Sequence, residues 1–355
     1  MKVAVLGSGN GGLACAFELS QKGREVTLFD FPSFTEQITW VHDEGGIWAS
    51  GKLSGFAPIA YSGHDIERAL DGVDLVVAVG PAFATPVQAE ACRDYLKPGM
   101  AVLVCPSSCA GSLTFMHAAG LDPEGDVIVG ETNTLPYAVR IAGPAALQVY
   151  HRLTGGMYLA AAPREETDQL LAMVADVWPL ERARSIFQTT LQNGNPVIHP
   201  AVSLLNAGAI DRGSEFLFYE EGVTPGVGKL IEAVDLERLA IAQSLGVHIL
   251  SEPELGMKQE YMLENNYSTG YSKAPGFLGI SAQNKLDHRY ITEDVGYGLV
   301  FLTELARRLG VETPTMDSVI NIASVVLGRD FRAEQARTLA SLGFGDLTAD
   351  ELRTL

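Results

Sequence analysis

Short apolar runs alternate with stretches of helical spacing over the first 130 residues of the chain. Four of the runs have the length of buried strands and lie at 3–6, 26–29, 74–79 and 101–105. Strands that are apolar throughout and alternate with helices are typical of parallel βαβ units, whose sheet is covered on both faces. The pattern therefore predicts an α/β fold for this part of the chain.

The pattern changes after residue 131. Three short runs separated by Gly and Pro, at 137–142, 147–151 and 157–161, predict a small antiparallel meander added to the sheet. Farther along, apolar residues recur at helical spacing in 227–245, 295–309 and 315–327. Pro200 is predicted at the first position of a helix that runs to residue 210. The second half of the chain is thus expected to be helical.

A glycine-rich turn follows the first strand. Gly7-Ser-Gly-Asn-Gly-Gly12 gives the spacing G-x-G-x-x-G between that strand and a helix. The first glycine permits a tight turn, the second allows a pyrophosphate to approach, and the third allows the helix to pack closely. Asp30 ends the second strand, where a carboxylate accepts hydrogen bonds from a ribose 2′-OH. The predicted dinucleotide site consists of Gly7, Gly9, Asn10, Gly11, Gly12 and Asp30.

Ligands in parallel sheets bind beyond the carboxyl ends of the strands. Gly80, Pro81 and Pro106 follow the third and fourth strands, and Glu131-Thr132 ends the next one. They are expected to line the same cleft, with Gly80, Pro81 and Pro106 as further cofactor contacts. The Asp30 carboxylate would repel a 2′-phosphate, and no Arg or Lys follows it before Lys52. This favours NAD over NADP. We predict a Rossmann NAD-binding domain over 1–183, followed by an all-α helical substrate and catalytic domain over 184–355.

Composition narrows the range of partners. The formal charge of −18 argues against a nucleic-acid surface, and no apolar run approaches the roughly 20 residues of a membrane helix. The apolar run before Gly7 is too short for a signal-peptide core. The four cysteines have neither disulfide nor zinc spacing, so we expect a reduced, cytoplasmic protein without a metal. A homodimer is one assembly that the sequence allows.

A dehydrogenase needs an acid/base, and His is the usual choice near neutral pH. Of the seven histidines, His199 lies just after the predicted boundary. Pro200 is expected to keep His199 extended and to place it at a helix N-terminus. Asp294 could supply the carboxylate that fixes the tautomer of the imidazole. A helix-cap or loop histidine explains His199 at least as well, and a first-turn acid that offsets a helix dipole is the stronger explanation of Asp294.

Three further side chains are candidates for substrate contacts. Arg140 and Arg289 could pair with substrate carboxylates, which arginine binds in bidentate fashion. Asn206, seven residues after His199, could hydrogen-bond the substrate or the nicotinamide. Surface arginines and a buried packing amide are the ordinary alternatives.

Five segments together resemble the octopine/opine dehydrogenases. They are Gly7-Ser-Gly-Asn-Gly-Gly12, Glu131-Thr-Asn-Thr-Leu-Pro-Tyr-Ala138, Asn195-Pro-Val-Ile-His-Pro200, Phe218-Tyr-Glu-Glu-Gly-Val-Thr-Pro225 and His288-Arg-Tyr-Ile-Thr-Glu-Asp294. The resemblance implies NAD(P)H-dependent reductive condensation of an amino acid with a 2-keto acid such as pyruvate. It also implies that a His–Asp pair, here His199 and Asp294, carries out the proton transfer.

Two other interpretations stay open at this point. One is a related dehydrogenase acting on a keto or hydroxy acid or a polyol phosphate, which would use a lysine, with Lys229, Lys258, Lys273 and Lys285 available. The other is a non-catalytic NAD-sensing protein that regulates a partner.

Overall fold

The structure is a computed structural model, and it describes residues 1–122 and 125–354. It contains two compact units, Met1–Thr189 (unit 1) and Thr190–Leu355 (unit 2). The division lies a few residues beyond the boundary predicted at residue 183. Among the described helices, none is long and apolar enough to cross a membrane. The described residues also contain no group of three His, Cys, Asp or Glu side chains that could hold a metal ion.

Unit 1 contains all twelve strands of the described chain. They are β1 Lys2–Leu6, β2 Glu25–Phe29, β3 Gly46–Gly51, β4 Gly55–Pro58, β5 Tyr61–Gly63, β6 Leu75–Ala78, β7 Ala101–Val104, β8 Ile128–Thr132, β9 Tyr137–Gly143, β10 Ala146–Arg152, β11 Met157–Ala162 and β12 Leu180–Arg182. Eight of them form the main sheet in the order β12-β11-β8-β7-β6-β1-β2-β5. Its neighbours are parallel except for β8 and β11.

Helices cover both faces of the main sheet. Those of unit 1 are α1 Asn10–Gln21, α2 Thr35–Glu44, α3 Ile66–Leu70, α4 Ala84–Cys92, α5 Gly111–Ala119, α6 Thr167–Val174 and α7 Ile186–Leu191, which crosses the division between the units. Alternate residues of each strand enter different cores: Val3 and Val5 pack with α1, whereas Ala4 and Leu6 pack on the face that α4 and α5 cover. Burial on both faces explains the continuous apolar runs and confirms the α/β prediction.

All three strands of the predicted meander are present, and β9 and β10 pair antiparallel, but the prediction that these two join the main sheet is wrong. Only β11 joins the main sheet, whereas β9 and β10 form a second sheet with β3 and β4, in the order β4-β3-β10-β9. Along β9 and β10, buried residues largely alternate with more exposed ones. Such strands have one core face and one solvent face, and that pattern does not identify the sheet that a strand joins.

The glycine turn between β1 and α1 depends on contacts that only glycine permits. Gly7 has φ +110°, and a Cβ at this position would lie 2.2 Å from the carbonyl oxygen of Val79. A Cβ on Gly12 would lie 1.9 Å from the carbonyl oxygen of Gly7. Gly9 precedes α1 and offers no capping side chain, so the first N–H groups of the helix can bind an anion.

Unit 2 is helical. Its helices are α8 Asn195–Leu205, α9 Ala207–Asp211, α10 Pro225–Ser244, α11 Glu252–Lys258, α12 Thr269–Ser272, α13 Arg289–Glu293, α14 Val300–Leu309, α15 Pro314–Leu327, α16 Phe331–Glu334 and α17 Ala349–Thr354, with a π-helical segment at Asp294–Leu299 and 3₁₀ turns at Pro275–Phe277 and Ala340–Leu342. Among its described residues, β pairing is limited to one bridge between Leu217 and Ser281. The all-helical prediction is confirmed.

We expect Gly12→Ala to destabilise unit 1 by about 1–3 kcal/mol, the usual effect of overpacking. The added methyl would meet a main-chain oxygen that cannot move aside without opening the turn. Gly9→Ala is the matched control, because nothing lies within 4 Å of a Cβ there and the φ of Gly9 is −76°. Chemical denaturation of both variants measures the difference. Equal stability would contradict this account of the turn.

Candidate active site

A buried hydrogen bond joins the two predicted catalytic residues. Nδ1 of His199 donates to Oδ2 of Asp294 over 2.8 Å, and the two side chains are only 5% and 9% exposed. A carboxylate oxygen accepts, so Nδ1 carries the hydrogen and the neutral ring has its lone pair on Nε2. The geometry thus prepares Nε2 to exchange a proton.

The position of His199 corrects one expectation. His199 is the fifth residue of α8, and Pro200 lies inside this helix rather than at its start. Pro200 removes one helical hydrogen bond, the one to the Pro196 carbonyl, but does not end the helix. Proline disfavours a helical residue before it without excluding one, and here helix packing prevails. His199 therefore lies in the helix body.

Asp294 reaches His199 because two helical elements approach closely. Asp294 begins the π-helical segment, which packs against α8. A Cβ on Gly298 of this segment would lie 2.6 Å from Cγ of Pro196, so only glycine permits this distance. Short π-helical segments frequently occur at functional sites.

Aromatic side chains enclose the imidazole. The hydroxyl of Tyr219 lies 3.0 Å from Nε2 of His199, and the ring of Tyr290 stacks on the imidazole with centroids 4.0 Å apart. Phe218 presents an edge at 5.9 Å. Burial, followed by the neighbouring Tyr290, raises the pKa of Tyr219 well above the ordinary value. Tyr219 therefore stays a neutral hydroxyl that can donate or accept.

A buried ionic cluster supports the start of α8. Nε of Arg238 donates to Oδ1 of Asp235 over 2.7 Å, and its guanidinium also donates to the carbonyls of Leu191 and Leu250. Burial raises the pKa of the nearby Glu252 carboxyl to about 7, although Arg238 opposes the shift. Through Leu191, these contacts fix the chain just before α8.

The predicted dinucleotide residues meet at one edge of the main sheet. Gly7 and Asp30 follow β1 and β2, and Gly80, Pro81 and Pro106 follow the neighbouring parallel strands β6 and β7. Within the turn, Oδ1 of Asn10 accepts a hydrogen bond from the N–H of Ile141, and Leu135 lies 3.0 Å from the Cβ position of Gly11.

The Asp30 carboxylate already contacts the glycine turn. Its Oδ2 accepts from the main-chain N–H and the hydroxyl of Ser8, at 2.6 and 2.7 Å. Its Oδ1 accepts from the N–H of Phe31 at 2.8 Å. These bonds hold the carboxylate beside the turn, which is the arrangement that a ribose-binding acid requires. The turn, the uncapped start of α1 and the acid together fit a dinucleotide.

Glu131 differs from its expected role. We expected it to line a cleft, but its carboxylate is fully buried and accepts from Ser112 and Thr189. Burial raises its pKa. The side chain therefore holds the first turn of α5 and a residue of α7.

The three predicted substrate contacts lie in different surroundings. Arg289 begins α13, is half exposed, and lies 5.6 Å above the ring of Tyr290, which stacks on His199. Arg140 is exposed on β9 in unit 1, where its guanidinium donates to the Val139 carbonyl. The amide of Asn206 donates to the carbonyls of Val202 and Gly222 at the end of α8. Within unit 2, Arg289 lies near the His–Asp pair, whereas the amide of Asn206 is engaged by main-chain carbonyls.

Sequence reasoning missed four residues that shape these sites: Ser8, Tyr219, Tyr290 and Gly298. Tyr219 and Tyr290 lie inside the segments that carried the family resemblance, directly after Phe218 and Arg289. The position of these tyrosines inside the family segments was the available signal. Nothing in the sequence paired Gly298 with Pro196.

Comparisons with known proteins agree with the fold and the family resemblance. The model of the α-helical domain of NAD/NADP octopine/nopaline dehydrogenases matches residues 182–327. An opine dehydrogenase from Arthrobacter sp. (strain 1C) is 35% identical over 99% of this chain and 97% of its own length. The chain belongs to the opine dehydrogenase family. The predicted resemblance is confirmed, and the protein is an NAD-dependent oxidoreductase of the opine dehydrogenase type.

Solved structures confirm the fold class. An octopine dehydrogenase in complex with NADH and agmatine has a TM-score of 0.82 at 20% identity and covers 100% of this chain and 98% of its own. A yersinopine dehydrogenase with NADP+ bound has a TM-score of 0.73 at 17% identity and covers 100% and 97%. At these identities the likeness concerns the fold, a Rossmann domain followed by a helical domain.

Proposed function

We propose that this protein catalyses the reversible, NADH-dependent condensation of an amino acid's amino group with a 2-keto acid such as pyruvate. The product is a secondary amine that carries two carboxylates. The buried hydrogen bond between His199 and Asp294, in a member of this family, is the observation that carries the proposal. It supplies a histidine of fixed tautomer, as proton transfer to and from nitrogen and oxygen requires.

The roles of the residues follow from their chemistry. The glycine turn and α1 bind the pyrophosphate, and Asp30 binds the adenosine ribose. NADH, when bound, supplies the hydride that reduces the carbon–nitrogen double bond. His199 exchanges protons with the amine and with the departing oxygen, while Asp294 stabilises the imidazolium that forms. Arg289 pairs with a substrate carboxylate, since its side chain is half exposed beside the aromatic enclosure and its guanidinium already faces a carboxylate, that of Glu293, at 3.4 Å.

The dehydrogenases that rely on a lysine are less well supported. Lys229, Lys258, Lys273 and Lys285 are all exposed, and Lys273 faces Glu264 at 3.9 Å. A catalytic lysine usually requires burial to lower its pKa. A non-catalytic sensor would have no use for a buried His–Asp pair, whose desolvation is unfavourable unless both partners are kept.

We expect His199→Ala to lower amine-dependent NADH oxidation about 10²–10⁴-fold, the usual contribution of a general acid/base. Asp294→Asn should lower it as well, because an amide can donate to Nδ1 and so stabilise the wrong tautomer. NADH affinity should stay unchanged in both variants. The measurement is NADH absorbance with a 2-keto acid, with and without a panel of amino acids.

Replacement of an exposed histidine of the same unit, in His248→Ala, is the matched control and should keep wild-type turnover. Turnover that does not depend on the amine would favour a keto-acid reductase. Full activity of His199→Ala would refute the acid/base assignment.

Asp30 should set the preference for NADH over NADPH. We expect Asp30→Ala to weaken NADH binding and to narrow the affinity gap to NADPH, because it removes a ribose acceptor and a charge that repels phosphate. Ser8→Ala removes one hydrogen bond to Asp30 but keeps the carboxylate, so it should preserve the preference. Fluorescence titration with both cofactors tests this. An unchanged preference in Asp30→Ala would exclude the ribose assignment.

A further inference from the structure

The hydroxyl of Tyr219 occupies the one position through which His199 can exchange a proton. We propose that Tyr219 is a further catalytic residue, and that its hydroxyl relays the proton between Nε2 of His199 and the substrate. The inference rests on the proposed function, since the substrate groups that it serves are the amine and the keto oxygen.

Hydrogen-bond direction is the first argument. Because Nδ1 of His199 donates to Asp294, Nε2 of the neutral ring has a single lone pair in the ring plane. The Tyr219 oxygen lies 3.0 Å from Nε2, so its O–H donates to that lone pair. When the ring is protonated, Nε2–H donates to the same oxygen instead. One phenol hydroxyl thus serves both protonation states of His199.

The second argument is that Tyr219 is held firmly in place. Its ring stacks on Phe277 with centroids 4.2 Å apart and planes inclined by 15°. Phe218 meets the Tyr219 ring edge-on at 5.0 Å, and the carbonyl of Tyr219 accepts from the N–H of Val223 at 3.1 Å. The side chain is 6% exposed. A ring packed in this way does not move aside to free Nε2 without losing its stacking contacts.

The third argument concerns the other approaches to the imidazole. Tyr290 covers one ring face at 4.0 Å, and Asp294 occupies Nδ1. A substrate that does not displace Tyr219 must therefore contact its oxygen rather than Nε2. Burial raises the pKa of Tyr219, which keeps a transferable proton on the oxygen.

The relay conserves atoms and charge. As the amine nitrogen bonds to the keto carbon, a proton leaves that nitrogen for the Tyr219 oxygen, and the original Tyr219 proton passes to Nε2. Nε2 then returns its proton to the Tyr219 oxygen, and Tyr219 protonates the keto oxygen, which becomes a hydroxyl. As the carbon–oxygen bond breaks, the second proton of the nitrogen follows the same route to this hydroxyl, so that water leaves and a carbon–nitrogen double bond remains. Both residues return to their starting state, and a hydride from NADH together with one proton from solvent completes the secondary amine.

Tyr219→Phe tests the relay, because it removes the hydroxyl and keeps the stacked ring. We expect kcat for amine-dependent NADH oxidation to fall about 10²-fold or more, with NADH affinity and thermal stability unchanged. Tyr261→Phe is the matched control. It removes a hydroxyl from a ring that stacks on Phe277 at 5.0 Å, next in the same aromatic stack, and should keep wild-type kcat.

Proton inventory in mixtures of H₂O and D₂O separates a relay from a structural role. A plot of the wild-type rate against the deuterium fraction of the solvent should be curved, as expected when two protons move in the rate-limiting step. The same plot for the residual rate of Tyr219→Phe should be linear. A Tyr219→Phe kcat within about threefold of wild type would overturn the proposal. So would a large loss whose inventory keeps the wild-type curvature.

A failure of the proposed function would be recognised separately. If wild-type protein fails to oxidise NADH with every tested pair of a keto acid and an amine, the proposed function fails. The ¹⁵N resonance of His199 Nε2 then tests the hydrogen bond to Tyr219. A shift of that resonance in Tyr219→Phe, absent in Tyr261→Phe, supports the hydrogen bond on which the relay depends. An unshifted resonance overturns it.

Discussion

The hydrogen bond between Nδ1 of His199 and Oδ2 of Asp294 joins the two helical elements on which the candidate site of unit 2 depends. An imidazole and a carboxylate lose hydration when they are buried, so each is stable there only with a partner in good geometry. Three features supply that geometry: α8 carries the histidine, the π-helical segment carries the acid, and Gly298 lets the two elements approach. The bond leaves the lone pair on Nε2, where Tyr219 meets it. The hydrogen bond that stabilises the buried pair thus also determines which ring nitrogen of His199 exchanges the proton.

In unit 1 the fold likewise brings together residues that are distant in the sequence, here for the predicted dinucleotide site. Its parallel strands bring Gly7 and Asp30 to one edge of the sheet. Close contact at Gly12 brings α1 onto the turn, so that main-chain N–H groups are available to phosphate oxygens. The carboxylate of Asp30 is held by Ser8 of that same turn. Ser8 therefore connects the turn that is predicted to bind the phosphates with the acid that is predicted to bind the ribose.

Local patterns predicted the elements that are determined locally. The buried strands of the main sheet were evident because both of their faces are apolar, and the glycine turn because G-x-G-x-x-G lies between a strand and a helix. The strands that pair with β9 and β10 were not evident, because a pattern with one apolar face does not identify the sheet that a strand joins. The helical setting of His199 was missed because helix packing outweighed the bias set by Pro200. His199 and Asp294 are 95 residues apart, and periodicity alone left their pairing open. Their chemistry suggested the pairing as one possibility, and the family resemblance favoured it. Tyr219 emerged from the side-chain geometry alone.

The destination of the hydride tests the central claim most directly. Protein supplied with NADH deuterated at the transferable position, pyruvate and an amino acid should release a secondary amine. Mass spectrometry should find one deuterium on the carbon that was the keto carbon, and none of this product without the amino acid. Deuterium recovered in a 2-hydroxy acid, at a rate indifferent to the amino acid, would contradict the account.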